Sequence, residues 1–130
     1  MNTSNMRGFT LIELMITIVI LAILASMAYP SYDSFVRKAR MEEAKSSIMT
    51  TAKEMERYYS RNRTFTNAPD PADTDYFDIA FAASSPQDSS YEIIATPKAN
   101  HVREDKAISY NSIGILVRCD KATMRNCEHY

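Results

Sequence analysis

Glu13 is the only formally charged residue between Phe9 and Asp33, in the stretch "FTLIELMITIVILAILASMAYPSY". At the centre of a membrane helix a carboxylate costs about 2.5 to 3.5 kcal/mol on insertion scales, so such a residue is expected to serve a function and to meet a cation. A second set of reactive groups lies near the other end: Cys119 and Cys127 suit one disulfide, with an intermolecular bridge or a metal site including His129 as the alternatives. Lys98, His101, Arg103, Lys106, Arg118, Lys121 and Arg125 crowd the C-terminal third, interleaved with Tyr110 and Tyr130. Cations in that pattern could meet the phosphates of DNA or an acidic host surface; Glu104, Asp105, Asp120 and Glu128 dilute them, and an ordinary solvated face is the plainer account. Asp70, Asp73 and Asp75 lack the glycine and terminal glutamate of a calcium loop, which favours a solvated turn. Two histidines, two glycines and no nucleophile motif argue against an enzyme and call for no cofactor and no metal.

Position in the chain explains what must hold these groups. The apolar run from Phe9 to Tyr29 has 21 residues, about 31 Å of helix at about 1.5 Å per residue, which matches a hydrocarbon core. Arg7 just before it keeps the N-terminus cytoplasmic under the positive-inside rule. The run is longer than the apolar region of a secretory signal, and Ala25, Ser26 and Ala28 lead straight into a further helical pattern, so the segment is read as retained. Pro30 removes one helical hydrogen bond and is expected to kink or locally melt the helix. Beyond it, Tyr32, Phe35, Val36, Ala39, Ala44, Ile48, Ala52, Met55 and Tyr59 recur at three- and four-residue steps, an amphipathic helix to about Arg61. The alternations "YFDIAFA" and "YEIIAT" predict strands with Phe77, Ile79 and Phe81, then Tyr91, Ile93 and Ala95, on one face. In "AISYNSIGILVRC", Asn111 to Gly114 supply a turn between two more strands, with Gly114 at positive φ. "NRTFTNAPDPADTD" and "ASSPQDSS" read as linkers.

The chain has 130 residues, a formal net charge of -1 and a pI near 6.1. These values leave about a hundred residues for one soluble domain and argue against a globally basic nucleic-acid protein. Paired cysteines place that domain in an oxidising compartment.

"RGFTLIELM", followed by an apolar helix and Pro30, resembles the class III signal of type IV pilin precursors. The family pattern is a short polar leader ending in Gly, cleavage before Phe, Glu at the fifth mature position and Pro at the twenty-second; Gly8, Phe9, Glu13 and Pro30 fall on it. The resemblance implies cleavage between Gly8 and Phe9 by a prepilin peptidase, N-methylation of Phe9, and pairing of Glu13 with the new Phe9 amine as subunits pack. It also implies a leader at 1–8, a transmembrane and filament-core helix at 9–29, and a head at 30–130. "EMERYYSRNRTFT", "YFDIAF", "YEIIATPKA" and "SYNSIGIL" are similar to the head of PilE/PilV-like minor pilins of Gram-negative bacteria. Many of those carry a cysteine just before the strand corresponding to Ala107–Asn111, where this chain has Glu104-Asp105-Lys106.

The expected fold is therefore α+β, a type IV pilin fold with its long helix packed on an antiparallel meander of three or four strands. The implied function is a structural subunit of a type IV pilus, minor rather than major, serving adhesion, twitching motility or DNA uptake. Its alternatives are a DNA-binding competence pilin, a major pilin and a type II secretion pseudopilin. Partners implied are other pilin subunits, the peptidase and the inner-membrane assembly machinery. The implied location is the bacterial inner membrane first and the extracellular pilus afterwards.

Overall fold

The computed structural model describes residues 7–99 and 104–130; Met1 to Met6 of the expected leader, and with them His101 and Arg103, lie outside the described residues. Element order is one helix, α1 (Leu11–Asn62), then β1 (Phe77–Phe81), β2 (Glu92–Pro97), β3 (Lys106–Asn111), β4 (Leu116–Asp120) and β5 (Glu128–His129). The chain divides into two compact units, one up to Val36 and one from Arg37 to Tyr130.

In the first unit α1 begins with a capping box. Thr10 is the N-cap and Glu13 the third helical residue: the Glu13 amide donates to Thr10 Oγ1 at 3.3 Å, and the Thr10 amide donates to Glu13 Oε2 at 3.2 Å. Helical assignment continues through Pro30 without interruption. Of the kink or local melting expected there, the melting is not seen: the flanking turns keep their own hydrogen bonds and carry the helix past the one bond that the missing proline N–H removes.

In the second unit Met41, Ala44, Ile48, Thr51, Ala52 and Met55 form the buried stripe of α1. The amphipathic pattern is thus core only from Met41 onward; Tyr32 and Phe35 belong to the first unit and stay exposed. Against this stripe packs one antiparallel sheet in the order β1-β2-β3-β4-β5. Phe77, Ile79, Tyr91, Ile93, Ala95 and Ile108 fill the core from the sheet side, on alternate positions as a pleated strand requires. Register follows Ile79 opposite Ala95 and Ala95 opposite Ile108. The β3–β4 turn has Gly114 at φ 90°, a conformation that costs an L side chain strain.

The sheet has five strands, where the periodicity of the sequence predicts three or four. β5 is two residues long and exposed, too short for any alternation to register. It is set by the Cys119–Cys127 disulfide, which turns the chain back so that Val117 faces His129 and Arg118 faces Glu128. Closing this short loop removes about 2 to 3 kcal/mol of unfolded-chain entropy in the loop-closure account.

The linker after α1 also does more than connect. Phe65 is buried, its ring 4.6 Å from Tyr59 and 4.9 Å edge-on to Tyr91. Asp88 from the β1–β2 loop clasps this segment: Thr64 and Thr66 hydroxyls donate to its Oδ1 at 3.1 and 2.8 Å, and the Phe65 amide to its carbonyl. At the sheet edge Asp73 Oδ1 accepts from the Ile79 amide at 2.6 Å and Thr74 brackets Phe77, which occupies groups that an open edge strand would present to another chain.

Candidate functional site

Two groups of residues carry the chemistry expected from the sequence, one in each unit. In the first, every large apolar side chain from Phe9 to Phe35 is exposed. The helix is long and apolar enough to cross a membrane, and none of that apolar window is covered by the protein itself. So large an unpartnered apolar surface is a binding surface, for lipid or for other helices. Glu13 sits near its start with its carboxylate turned to the N-cap, accepting from the Thr10 amide and in contact with Thr10 Oγ1 at 3.3 Å. The Thr17 hydroxyl donates to the Glu13 carbonyl at 2.7 Å. Thr10, which holds the Glu13 carboxylate, is a residue that the charge pattern does not single out, although its spacing to Glu13 is the S/T-x-x-E signature of a helix start.

In the second unit the cations are distributed rather than clustered. Lys98 Nζ lies 3.7 Å from Asp78 and donates to the Thr74 carbonyl at 2.8 Å. Lys106 Nζ donates to Asp120 Oδ1 at 2.7 Å; that bond raises the Lys106 pKa and lowers that of Asp120, which also accepts from Asn126. Arg118 reaches Glu128 at 3.2 Å and stacks 5.4 Å from the centre of the Tyr130 ring, with its Nε buried and unbonded. Register puts Lys106 and Arg118 on the face of Ile108, toward the core, while Asp78, the partner of Lys98, alternates with Phe77 and Ile79 on the other face.

Lys121 and Arg125 remain. Both lie on the β4–β5 loop, half-buried and exposed respectively, and no ion pair engages either one among the described residues. Two backbone hydrogen bonds tie the loop down: the Asp120 amide donates to the Arg125 carbonyl at 2.9 Å and the Lys121 amide to the Asp105 carbonyl at 2.7 Å. Beside Lys121 lies a cavity of about 700 Å³ lined also by Thr96, Glu104, Asp105, Asp120, Ala122 and Thr123.

Tyr130 closes the head. Its hydroxyl donates to Glu42 Oε1 at 2.8 Å and Lys45 Nζ sits 4.5 Å from its ring centre. Burial and that hydrogen bond push the phenol up to about 12. Tyr91 is likewise pushed up to about 12, by burial first and then by Tyr110 and Glu56 nearby. The sequence presents Tyr130 only as an aromatic among cations; its partner is 88 residues away.

Comparison with known proteins follows the same division. The profile of the prokaryotic N-terminal methylation motif matches residues 3–29, and that of "Type IV minor pilin ComP, DNA uptake sequence receptor" matches residues 30–121. A fimbrial protein of Pseudomonas aeruginosa is 34% identical over 84 residues, 65% of this chain and 54% of that protein. The type IV major pilin PilA of Myxococcus xanthus is 28% identical over 109 residues, 84% of this chain and 46% of that one. The chain spans about half the length of these curated relatives. In fold it is similar to the non-core minor pilin PilV of Neisseria meningitidis, with a TM-score of 0.60 at 21% identity, covering 68% of this chain and 91% of that one. A type IV pilin from Shewanella oneidensis gives 0.52 at 20% identity, covering 72% and 99%. Because the second profile takes up where the first ends and spans well over half of the sequence, the chain belongs to the family of the type IV minor pilin ComP, whose members are structural pilins.

Proposed function

We propose that this chain is a minor structural subunit of a type IV pilus, without catalytic activity, and that its head serves in DNA uptake. The observation that carries the reading is the uncovered apolar surface from Phe9 to Tyr29, in a helix that also supplies the buried stripe of a self-sufficient head. Such a surface needs two successive environments. Lipid covers it while the subunit waits in the inner membrane, N-terminus cytoplasmic; the helices of other pilin subunits cover it in the extracellular filament. A prepilin peptidase cuts between Gly8 and Phe9, Phe9 is N-methylated, and the inner-membrane assembly machinery drives extension. Glu13 leaves its cap partner and pairs with the Phe9 amine of a neighbouring subunit, a match of opposite charges in a dry core where a misregistered subunit would leave the carboxylate unpaired. On this reading 1–8 is the leader, 9–29 the membrane and core helix, and 30–130 the head, with Pro30 at the junction.

DNA capture is favoured over the other expected roles by the match of the head to the ComP profile. Lys121 and Arg125 supply cations that no carboxylate engages among the described residues, whereas Lys98, Lys106 and Arg118 are held by Asp78, Asp120 and Glu128 and Arg103 lies outside the described residues.

The test is to shear filaments from cells and quantify this protein against other pilins by mass spectrometry, with sequencing of its N-terminal peptide. Trace amounts beginning at N-methylated Phe9 are expected. Dominance in the filament would make it the major subunit, and absence with residues 1–8 still attached would overturn the pilus reading.

A further inference from the structure

Among the described residues, nothing covers the aromatic side chains at the end of the apolar run. Tyr29, Tyr32 and Phe35 are 74%, 69% and 71% exposed, within the first unit. Steps of three residues at about 100° each confine the three rings to about a third of the helix circumference. Composition changes abruptly at this point. Leu, Ile and Val fill positions up to Leu24, none recurs before Val36, and Ser31, Asp33 and Ser34 interleave with the rings.

We infer that Tyr29, Tyr32 and Phe35 form an interfacial girdle: in the subunit awaiting assembly they sit at the lipid–water boundary and set the depth of the apolar helix in the bilayer. The inference rests on the membrane-resident subunit proposed above. Tyrosine suits that boundary because its ring is apolar and its hydroxyl wet. Lipid is the occupant because the girdle is continuous with a segment long and apolar enough to span a membrane, and because Ser31, Asp33 and Ser34 between the rings are polar, as a surface that also meets water requires.

Depth then follows by counting. With the girdle centred near Ser31, a hydrocarbon core of about 30 Å takes up about 20 residues of helix. Its midplane falls near Ile20 and its far boundary near Leu11. Glu13 lies within one turn of that boundary, and the capping box draws its carboxylate further toward residue 10. The bond between Gly8 and Phe9 emerges on the aqueous side, where a peptidase can reach it. The carboxylate therefore escapes most of the cost of burial before assembly and meets it only among the helices of the filament.

The chain contains no tryptophan, so single substitutions report depth without background. Full-length chains carrying Tyr29→Trp, Tyr32→Trp or Ile20→Trp would be reconstituted in phosphatidylcholine vesicles brominated at shallow or deep acyl positions. Tryptophan shares the interfacial preference of tyrosine, so the substitution preserves the girdle; quenching at 29 and 32 is expected on the order of twofold stronger from shallow bromines, and at 20 from deep ones. Quenching of 29 and 32 best by deep bromines, with 20 also deep, would overturn the girdle and leave the span intact. Shielding of 29 and 32 from both lipids would assign that face to a neighbouring helix and overturn it too. No quenching at any position would overturn the span itself.

Discussion

Glu13 and Tyr130 show how the same chemistry, an oxygen in a hydrogen bond, acquires its role from what surrounds it. Glu13 satisfies the first helical turn through Thr10, an interaction worth about 1 kcal/mol at most exposed caps, which is small enough for the exchange proposed above. Tyr130 is held by burial and by Glu42, and its phenol is pushed up to about 12 from an unfolded value of about 10. An acid whose folded pKa is raised is bound in its protonated form, so its contribution is complete below pH 10 and is lost as pH rises from 10 toward 12. In urea unfolding of the detergent-solubilised chain, Tyr130→Phe is expected to cost about 1 kcal/mol at neutral pH. The difference from the parent should shrink across that alkaline window. Tyr91 titrates in the same range in both proteins, so a constant difference would count against the Glu42 hydrogen bond.

At the scale of elements, the junctions matter as much as the helix and strands. The long helix and the four longer strands are legible because their periods of 3.6 and 2 select which side chains face the core. The segment 62–75 reads as a polar linker, yet Phe65 within it bridges the rings of Tyr59 on α1 and Tyr91 just before β2. A single buried residue has no period, so its only sequence signal is a lone aromatic between two threonines that prove to clasp Asp88. Phe65→Ala is expected to destabilise the head by about 3 to 5 kcal/mol, as truncation of a buried aromatic does, measured by thermal or urea unfolding. A loss below about 1 kcal/mol, the range of ordinary surface substitutions, would show that the linker folds independently of the core.

For the whole molecule, charge placement decides which cations are available. The sequence crowds basic residues into the C-terminal third, but the meander sends Lys98 to Asp78, Lys106 to Asp120 and Arg118 to Glu128. If the head binds DNA, Lys121→Gln with Arg125→Gln is expected to weaken it and to reduce the salt slope by about 1.8, near 0.9 for each phosphate no longer neutralised. Lys106→Gln and Arg118→Gln should change the slope less and stability more. Fluorescence anisotropy with a labelled duplex across a salt series separates the two, and equal slopes for all variants would remove this loop from the binding surface.

What the sequence determined by itself was everything carried by local order. The apolar run with Glu13 near its start, the amphipathic continuation and the alternating strands all follow from spacing along one chain, and the N-terminal methylation motif lies within it. Tertiary structure decided what depends on distant residues meeting. Those are the fifth strand returned by the Cys119–Cys127 bond, the seat of Tyr130 on Glu42, and which cations are neutralised. The physical reason is that hydrophobic periodicity is a property of a single element, whereas ion pairs and ring packing depend on separations of a few ångströms that exist only once the sheet has chosen its register.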